Sequence, residues 1–192
     1  MNMPNTVILK TERLIIRNWR ESDFDAFCEM GADPEVMRYF PSTLTQEESL
    51  VVANKIKSYI EERGWGFWAL EIPGQCDFIG FTGLHIPKDD LPCSPCVEVG
   101  WRLSKQFWGK GYATEAATAS LQFGFSELHL SEIVAFTAST NVPSMKVMQR
   151  LGMQNTGKDF DHPEVPLHSN LRRHVLYKIT QSEFAKLNSP PM

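Results

Sequence analysis

Apolar and polar positions change period several times along the chain, and each change marks an element. ERLIIRNW (12–19) is β-branched and apolar up to a polar cluster, which predicts a first strand. After Ser22, the residues Phe24, Phe27 and Cys28 in DFDAFCEM recur at helical spacing and predict a short helix. Thr45-Gln46-Glu47-Glu48 has the form of a capping box, with Glu48 three residues after Thr45, and the helix it opens runs to Arg63 before Gly64 stops it. FWALEI (67–72), a Pro73-Gly74 turn and DFIGFTGLHI (77–86) predict a β-hairpin. In CVEVGWRL (96–103), Val97, Val99 and Trp101 alternate with Glu98, Gly100 and Arg102, the pattern of a half-buried strand. The Ala-rich segment 112–127 is helical and EIVAFTA (132–138) is a strand. PSMKVMQRL (143–151) is a helix with Pro143 in its first turn and Gly152 as its stop, and HVLYKI (174–179) is a closing strand before a short polar helix.

Strand, two helices, an antiparallel meander, then strand-helix-strand-helix and a closing strand predict an α+β fold with a sheet of mixed direction. No fixed-period repeat and no linker rich in Pro, Gly or Ser divides the 192 residues, so one domain over 1–192 is expected, with Pro190-Pro191 in a short frayed tail. The 42% of hydrophobic residues is enough for its core. Lys and Arg number 19 against 23 Asp and Glu, a net charge of −4 without a long basic run, which argues against nucleic acid as a partner. Cys28, Cys76, Cys93 and Cys96 read as free thiols of a cytoplasmic protein, because MNMPNTVILK lacks the features of a signal peptide. No apolar run approaches the roughly 18–20 residues that cross a bilayer, so no membrane partner is expected.

The chemistry concentrates in WRLSKQFWGKGYATEA (101–116), a strand, a turn with Gly109 and Gly111, and a helix. Two glycines at this spacing let backbone N–H groups converge, the helix adds its positive end, and Lys110 adds a charge, so the turn can cradle a pyrophosphate. Plain turn geometry accounts for the same spacing. Neither GxGxxG nor the Walker A pattern occurs, since 109–114 reads GKGYAT, which lowers the case for a dinucleotide or a nucleoside triphosphate.

Gln106-Phe107-Trp108-Gly109-Lys110-Gly111 resembles the acetyl-CoA loop [Q/R]-x-x-G-x-[G/A] of the GCN5-related N-acetyltransferase (GNAT) family. Asn141-Val142-Pro143-Ser144 followed by Arg150-Leu151-Gly152-Met153 is similar to that family's second pattern, at a strand end and along the next helix. TERLIIR, VEVGW and HVLYK are similar to the branch of ribosomal-protein N-terminal acetyltransferases (RimJ/RimL-like). The resemblance spans 10–179 and implies a mixed, mostly antiparallel sheet flanked by helices, with a splayed parallel strand pair.

It also implies an acetyl-CoA-dependent N-acetyltransferase in which an amine attacks the thioester directly within a ternary complex. The acceptor would be a primary amine, on a protein N-terminus or a small molecule, and the enzyme a monomer or homodimer. Backbone amides over 107–113, including those of Phe107, Trp108, Gly109, Lys110, Gly111, Tyr112 and Ala113, would hold the pyrophosphate beside Gln106. The strand around Leu103 would pair with pantetheine, and Asn141 and Ser144 would contact CoA. An alkyl amine with a pKa of about 10.4 arrives protonated and needs a base, for which Glu98 is the candidate, against a plain place on the polar face of its strand. A backbone N–H of 101–103 would stabilise the oxyanion. The helix position at which many relatives carry a general-acid Tyr is Met148, so Ser144, one turn earlier, is the candidate donor to the thiolate, against a capping role. Asn141 could equally be a helix N-cap. The missing Tyr is the one feature leaning toward an alternative, a non-catalytic acyl-CoA-binding module on the same fold; a longer acyl-CoA is a third reading.

Acceptor selection falls to loops 31–45, 87–95 and 159–171, with Asp161 or His162 as candidate pocket residues. The net charge of −4 leans toward a cationic acceptor. His162, His168 and His174 recur every six residues, a period that fits neither one helix face nor one strand face and argues against a shared site. Cys93-x-x-Cys96 lacks the further ligands of a zinc site, so no metal is expected.

Overall fold

The computed structural model describes residues 9–87 and 91–188. In chain order its elements are β1 (Leu9–Lys10), β2 (Ile15–Arg17), α1 (Phe24–Ala32), α2 (Gln46–Arg63), β3 (Phe67–Ile72), β4 (Cys76–His85), β5 (Glu98–Leu103), α3 (Tyr112–Ser126), β6 (Glu132–Ala138), α4 (Val142–Arg150), β7 (Gln154–Asn155), β8 (Phe160–Asp161), β9 (Arg173–Thr180) and α5 (Gln181–Leu187). The sheet runs β1-β2-β3-β4-β5-β6-β9-β7, with β8 also on β9. Every described pairing is antiparallel except β5 with β6. This is the expected α+β mixed sheet.

The capping box forms as the sequence predicts. Thr45 accepts from the Glu48 N–H, Glu48 returns the bond to Thr45, and Gly64 ends α2 in the left-handed region at φ 82°. The predicted first strand is shorter, because Thr11 hydrogen-bonds the Leu14 N–H and breaks 12–19 into a turn before β2. The predicted helix 143–151 begins at Val142, capped by Asn141. Strands β7 and β8, of two residues each, lie in a segment in which the sequence shows no strand, and both add to the edge of β9.

Apolar side chains fill both faces of the sheet. On the N-terminal half, Trp19, Phe27, Phe78 and Phe81 pack as tilted and edge-on rings beneath α1 and α2. On the C-terminal half, Leu121, Ile133, Met148, Leu151 and Ile179 join α3 and α4 to the sheet.

One charged cluster lies inside this packing. Arg17 (3% exposed) spends all five of its N–H donors: Nε on Glu71 (2.7 Å), Nη1 on Asp23 (2.8 Å) and the Asn18 carbonyl (3.0 Å), and Nη2 on Asp23 (2.9 Å) and the Asp77 carbonyl (2.6 Å). Asp23, fully buried, also accepts from the Arg20 N–H. The cluster ties β2, β3, β4 and the start of α1 together. Removing one partner strands a buried charge, so Asp23→Ala is expected to cost about 3–5 kcal/mol in a urea-unfolding measurement; a loss below about 1 kcal/mol would show that the cluster is not structural.

Candidate active site

The site begins where β5 and β6 part. These parallel neighbours share a single register pair, Glu98 with Val134, and the Val134 N–H donates to the Val97 carbonyl at 3.0 Å. On its other side β5 stays paired with β4 through Leu103, and the Ser104 N–H donates to the Ile79 carbonyl at 3.0 Å. In an antiparallel ladder successive residues turn their N–H and C=O groups to opposite sides. The groups of Glu98, Gly100 and Arg102 therefore face β4, whereas those of Val99, Trp101 and Leu103 face β6. Past this one bridge no described pairing joins Trp101 or Leu103 to β6, and a cleft of about 1200 Å³ opens between the strands. The Leu103 carbonyl is taken by the Trp108 indole N–H at 2.8 Å, which folds the following turn over the strand end.

That turn leads into α3 through Gly109 (φ 73°) and Gly111 (φ 84°), both in the left-handed region that favours glycine. A Cβ on Gly109 would meet nothing within 4 Å, so its backbone is open to a ligand. The first-turn N–H groups of α3 have no acceptor within the helix and aim out of its positive end, into the cleft. The turn is braced from the N-terminus. Arg13 donates to the Lys110 carbonyl (2.8 Å) and to Glu115 (2.6 Å), and its guanidinium lies 4.6 Å from the centre of the Tyr112 ring. Burial alone would raise the Glu115 carboxyl, but hydrogen bonds from Thr11 and Arg13 hold it below the usual carboxylate range. Arg38, Lys146 and Arg150 add positive charge along the cleft wall.

Of the residues singled out from the sequence, Glu98, Leu103, Phe107, Trp108, Gly109, Gly111, Tyr112, Ala113, Asn141, Ser144 and His162 all line this one cleft. Gln106, Lys110 and Asp161 do not. Lys110 takes part through its backbone, and Asp161 is exposed and paired with Arg172 (3.5 Å) and Arg173 (3.4 Å). The Glu98 carboxyl is pushed up to about 8 by burial. Asn141 is the N-cap of α4: its Oδ1 accepts from the Ser144 N–H at 3.3 Å and its Nδ2 donates to Thr137 at 2.8 Å. Met148, 2% exposed, belongs to the core and lines the cleft from there.

Two of the three histidines do converge, contrary to the reading from their spacing. β8 pairs with β9, which brings the His162 and His174 rings to 4.8 Å beside Phe136 and Phe160 on the cleft wall; His168 stays exposed. The two-residue strand that joins them is too short to show a period. Burial, with His162 nearby, holds the His174 imidazole below its usual range. Among the described residues no group of three or more His, Cys, Asp or Glu is placed to hold a metal ion, and no helix is long and apolar enough to cross a membrane.

The sequence reading also missed Arg102. It follows Glu98 at the i+4 position of β5, so the strand's alternation places it on the same face, and it lines the cleft. Arg150 stood in the second motif without a role, and Arg38 belongs to the 31–45 loop already singled out.

The family model for the acetyltransferase (GNAT) domain matches residues 13–154. The uncharacterized N-acetyltransferase YnaD of Bacillus subtilis is 33% identical over 152 residues, 78% of this chain and 84% of its own. The FsC-acetyl coenzyme A-N(2)-transacetylase of Aspergillus fumigatus is 30% identical over 171 residues, 85% of this chain and 72% of its own. A GNAT-family acetyltransferase from Bacillus anthracis has a TM-score of 0.76 at 30% identity, covering 92% of this chain and 99% of that one. Mycobacterium smegmatis RimJ, solved in complex with CoA-disulfide, shares the fold with a TM-score of 0.71 at 20% identity, covering 94% and 89%. The chain belongs to the GNAT acetyltransferase family and is an acetyl-CoA-dependent N-acetyltransferase.

The parted strands and the glycine turn fit the two ends of acetyl-CoA, backbone donors for an amide-bearing arm and a positive helix end for a pyrophosphate. Gly111→Val places a β-branched residue at positive φ, with its Cβ 3.3 Å from the Arg13 guanidinium. Calorimetry is expected to show acetyl-CoA affinity reduced about tenfold or more. Gly157→Val, at φ 68° in a turn away from the cleft, is the control expected to leave it unchanged; equal affinities for the two variants would remove the turn from the binding site.

Proposed function

We propose that the enzyme transfers the acetyl group to a primary amine, on a small molecule or a protein N-terminus, by direct attack within a ternary complex, with Glu98 as the base. The observation that carries this is the position of Glu98. Its carboxyl sits at the point where β5 and β6 part, in the same cleft as the free backbone donors of Trp101 and Leu103 and the open end of α3.

Each requirement of the reaction then has a residue. The first-turn amides of α3 and the amides of the glycine turn hold the pyrophosphate, and β5 stands in for a strand partner along the pantetheine arm. A carboxylate whose proton leaves near pH 8 is better matched to an ammonium of pKa about 10.4 than an ordinary glutamate is, so Glu98 takes the amine proton directly or through one water. The N–H groups of Trp101 and Leu103 donate to the thioester carbonyl oxygen as charge develops there, inside a cleft where such bonds are strengthened. Collapse of the adduct expels the CoA thiolate, whose conjugate thiol has a pKa near that of free cysteine, about 8.5. Met148 has no proton to give. The half-buried Ser144 hydroxyl, one turn nearer the start of α4, is the donor on this helix.

The pH dependence follows from the direction of the Glu98 shift. The base must be ionised to act, and burial raises its pKa in the free enzyme, so kcat/KM is expected to rise with pH and level off above about 8. In Glu98→Gln that ionisation should vanish and kcat fall about 100-fold or more, with acetyl-CoA affinity unchanged. A near wild-type rate with the same pH profile in the variant would show that Glu98 is not the base.

A further inference from the structure

Arg102 and Arg17 are both enclosed arginines of the same sheet, and they differ completely in how their donors are used. Arg17 spends every N–H on a carboxylate or carbonyl. The Nε and Nη1 atoms of Arg102 are buried without a hydrogen-bond partner among the described residues. Its guanidinium lies instead against two aromatic faces, 4.1 Å from the centre of Phe40 and 5.4 Å from that of Phe81. Those rings hold the cation where it lines the cleft, with Nε and Nη1 making no hydrogen bond among the described residues. A buried charged donor without an acceptor is costly, and such groups mark places where an acceptor arrives from outside the chain.

On the side of α2 the surroundings carry the same sign, whereas Glu35, Glu98, Glu115 and Glu164 also line the main cleft. Arg102, Phe67 and Phe81 form the wall between the main cleft and a second cavity of about 620 Å³ under α2, which Lys55 and Arg63 also line, with His85. Among the described residues no Asp or Glu lines this second cavity. The His85 imidazole is held down to about 4 by burial first, then by Arg63 and Lys55, so it stays neutral there. Arg102, lowered only to about 10 by burial, keeps its charge at neutral pH. Among the described residues no ion pair joins Arg102 to Glu98, and burial is the cause of the shift of each.

We infer that the acceptor amine carries an anionic group, a carboxylate or a phosphate, which Arg102 binds while the amine lies at Glu98. This rests on the acetyl-transfer reading above and narrows its acceptor. Four strand positions at about 3.4 Å separate the two Cα atoms by about 14 Å, and a hydrogen bond of about 3 Å at each end leaves about 8 Å between amine and anion. A straight chain of about six carbons spans that gap. The same field disfavours polyamines, because a second ammonium would face Arg102, Lys55 and Arg63. This proposal differs from the lean toward a cationic acceptor drawn from the net charge of −4, because it rests on the charge near Arg102 and not on the total.

The test uses four amines of equal chain length, hexylamine, hexamethylenediamine, ε-aminocaproate and aminohexyl phosphate, with CoA release as the readout. One of the two anionic amines is expected to exceed hexylamine at least tenfold in kcat/KM and the diamine by more, and which one leads distinguishes carboxylate from phosphate. In Arg102→Met that preference should fall to about one, and Arg102→Lys should restore part of it. Unchanged CoA affinity shows that each variant is folded. Hexylamine or the diamine matching the anionic amines in the wild type, or a preference that survives in Arg102→Met, would overturn the inference and leave acetyl transfer intact. If none of the four is acetylated, binding to the CoA complex decides: N-acetyl-ε-aminocaproate binding tighter than N-hexylacetamide, with the difference lost in Arg102→Met, supports the anion site, and equal binding refutes it. Absence of transfer to any amine counts against the acetyl-transfer reading alone.

Discussion

Parallel neighbours in a sheet ordinarily satisfy each other's backbone along their whole length, and here β5 and β6 stop doing so after one pair of residues. Both strands are held on their outer sides, β5 by β4 and β6 by β9, so neither can bend back to close the gap. The N–H groups of Trp101 and Leu103 are left facing the opening. The rest of the site is arranged around this divergence. β5 delivers Glu98 at its closed end and the Trp108 turn at its open end, α3 starts where that turn finishes, and α4 starts where β6 finishes.

Two arginines show how the molecule separates stability from function. Arg17 is enclosed by carboxylates and carbonyls and welds the N-terminal strands to α1; nothing remains for a ligand to satisfy. Arg102 lies on aromatic rings, and its Nε and Nη1 have no acceptor among the described residues. The unmet electrostatic demand sits in the cleft, where substrate binding can meet it. The glycine turn follows the same division of labour, since Arg13 and Glu115 brace its backbone from behind while its amides face outward.

Much of this was legible in the amino-acid pattern. Thr45, Glu48 and Gly64 mark α2 to the residue, because caps are local chemistry. The Gly109 and Gly111 turn and the Asn141 cap stand out because φ preference and capping depend on residue type. The two-residue strands β7 and β8 were hidden, since their existence depends on β9, and with them the meeting of His162 and His174. Arg102 looked like one more polar position in an alternating strand. Its setting lies in what surrounds it, Phe40 from a loop far away in sequence and, among the described residues, no acceptor for Nε and Nη1, which no strand pattern records.

The central claim is that backbone donors left over by the parting of β5 and β6 receive the acetyl-CoA arm. Residue-resolved amide hydrogen exchange, with and without saturating acetyl-CoA, tests it most directly. Slowed exchange at Trp101, Leu103 and the amides of 109–114 is the result this account predicts. Exchange at Trp101 and Leu103 that does not change when the protein is saturated would contradict it.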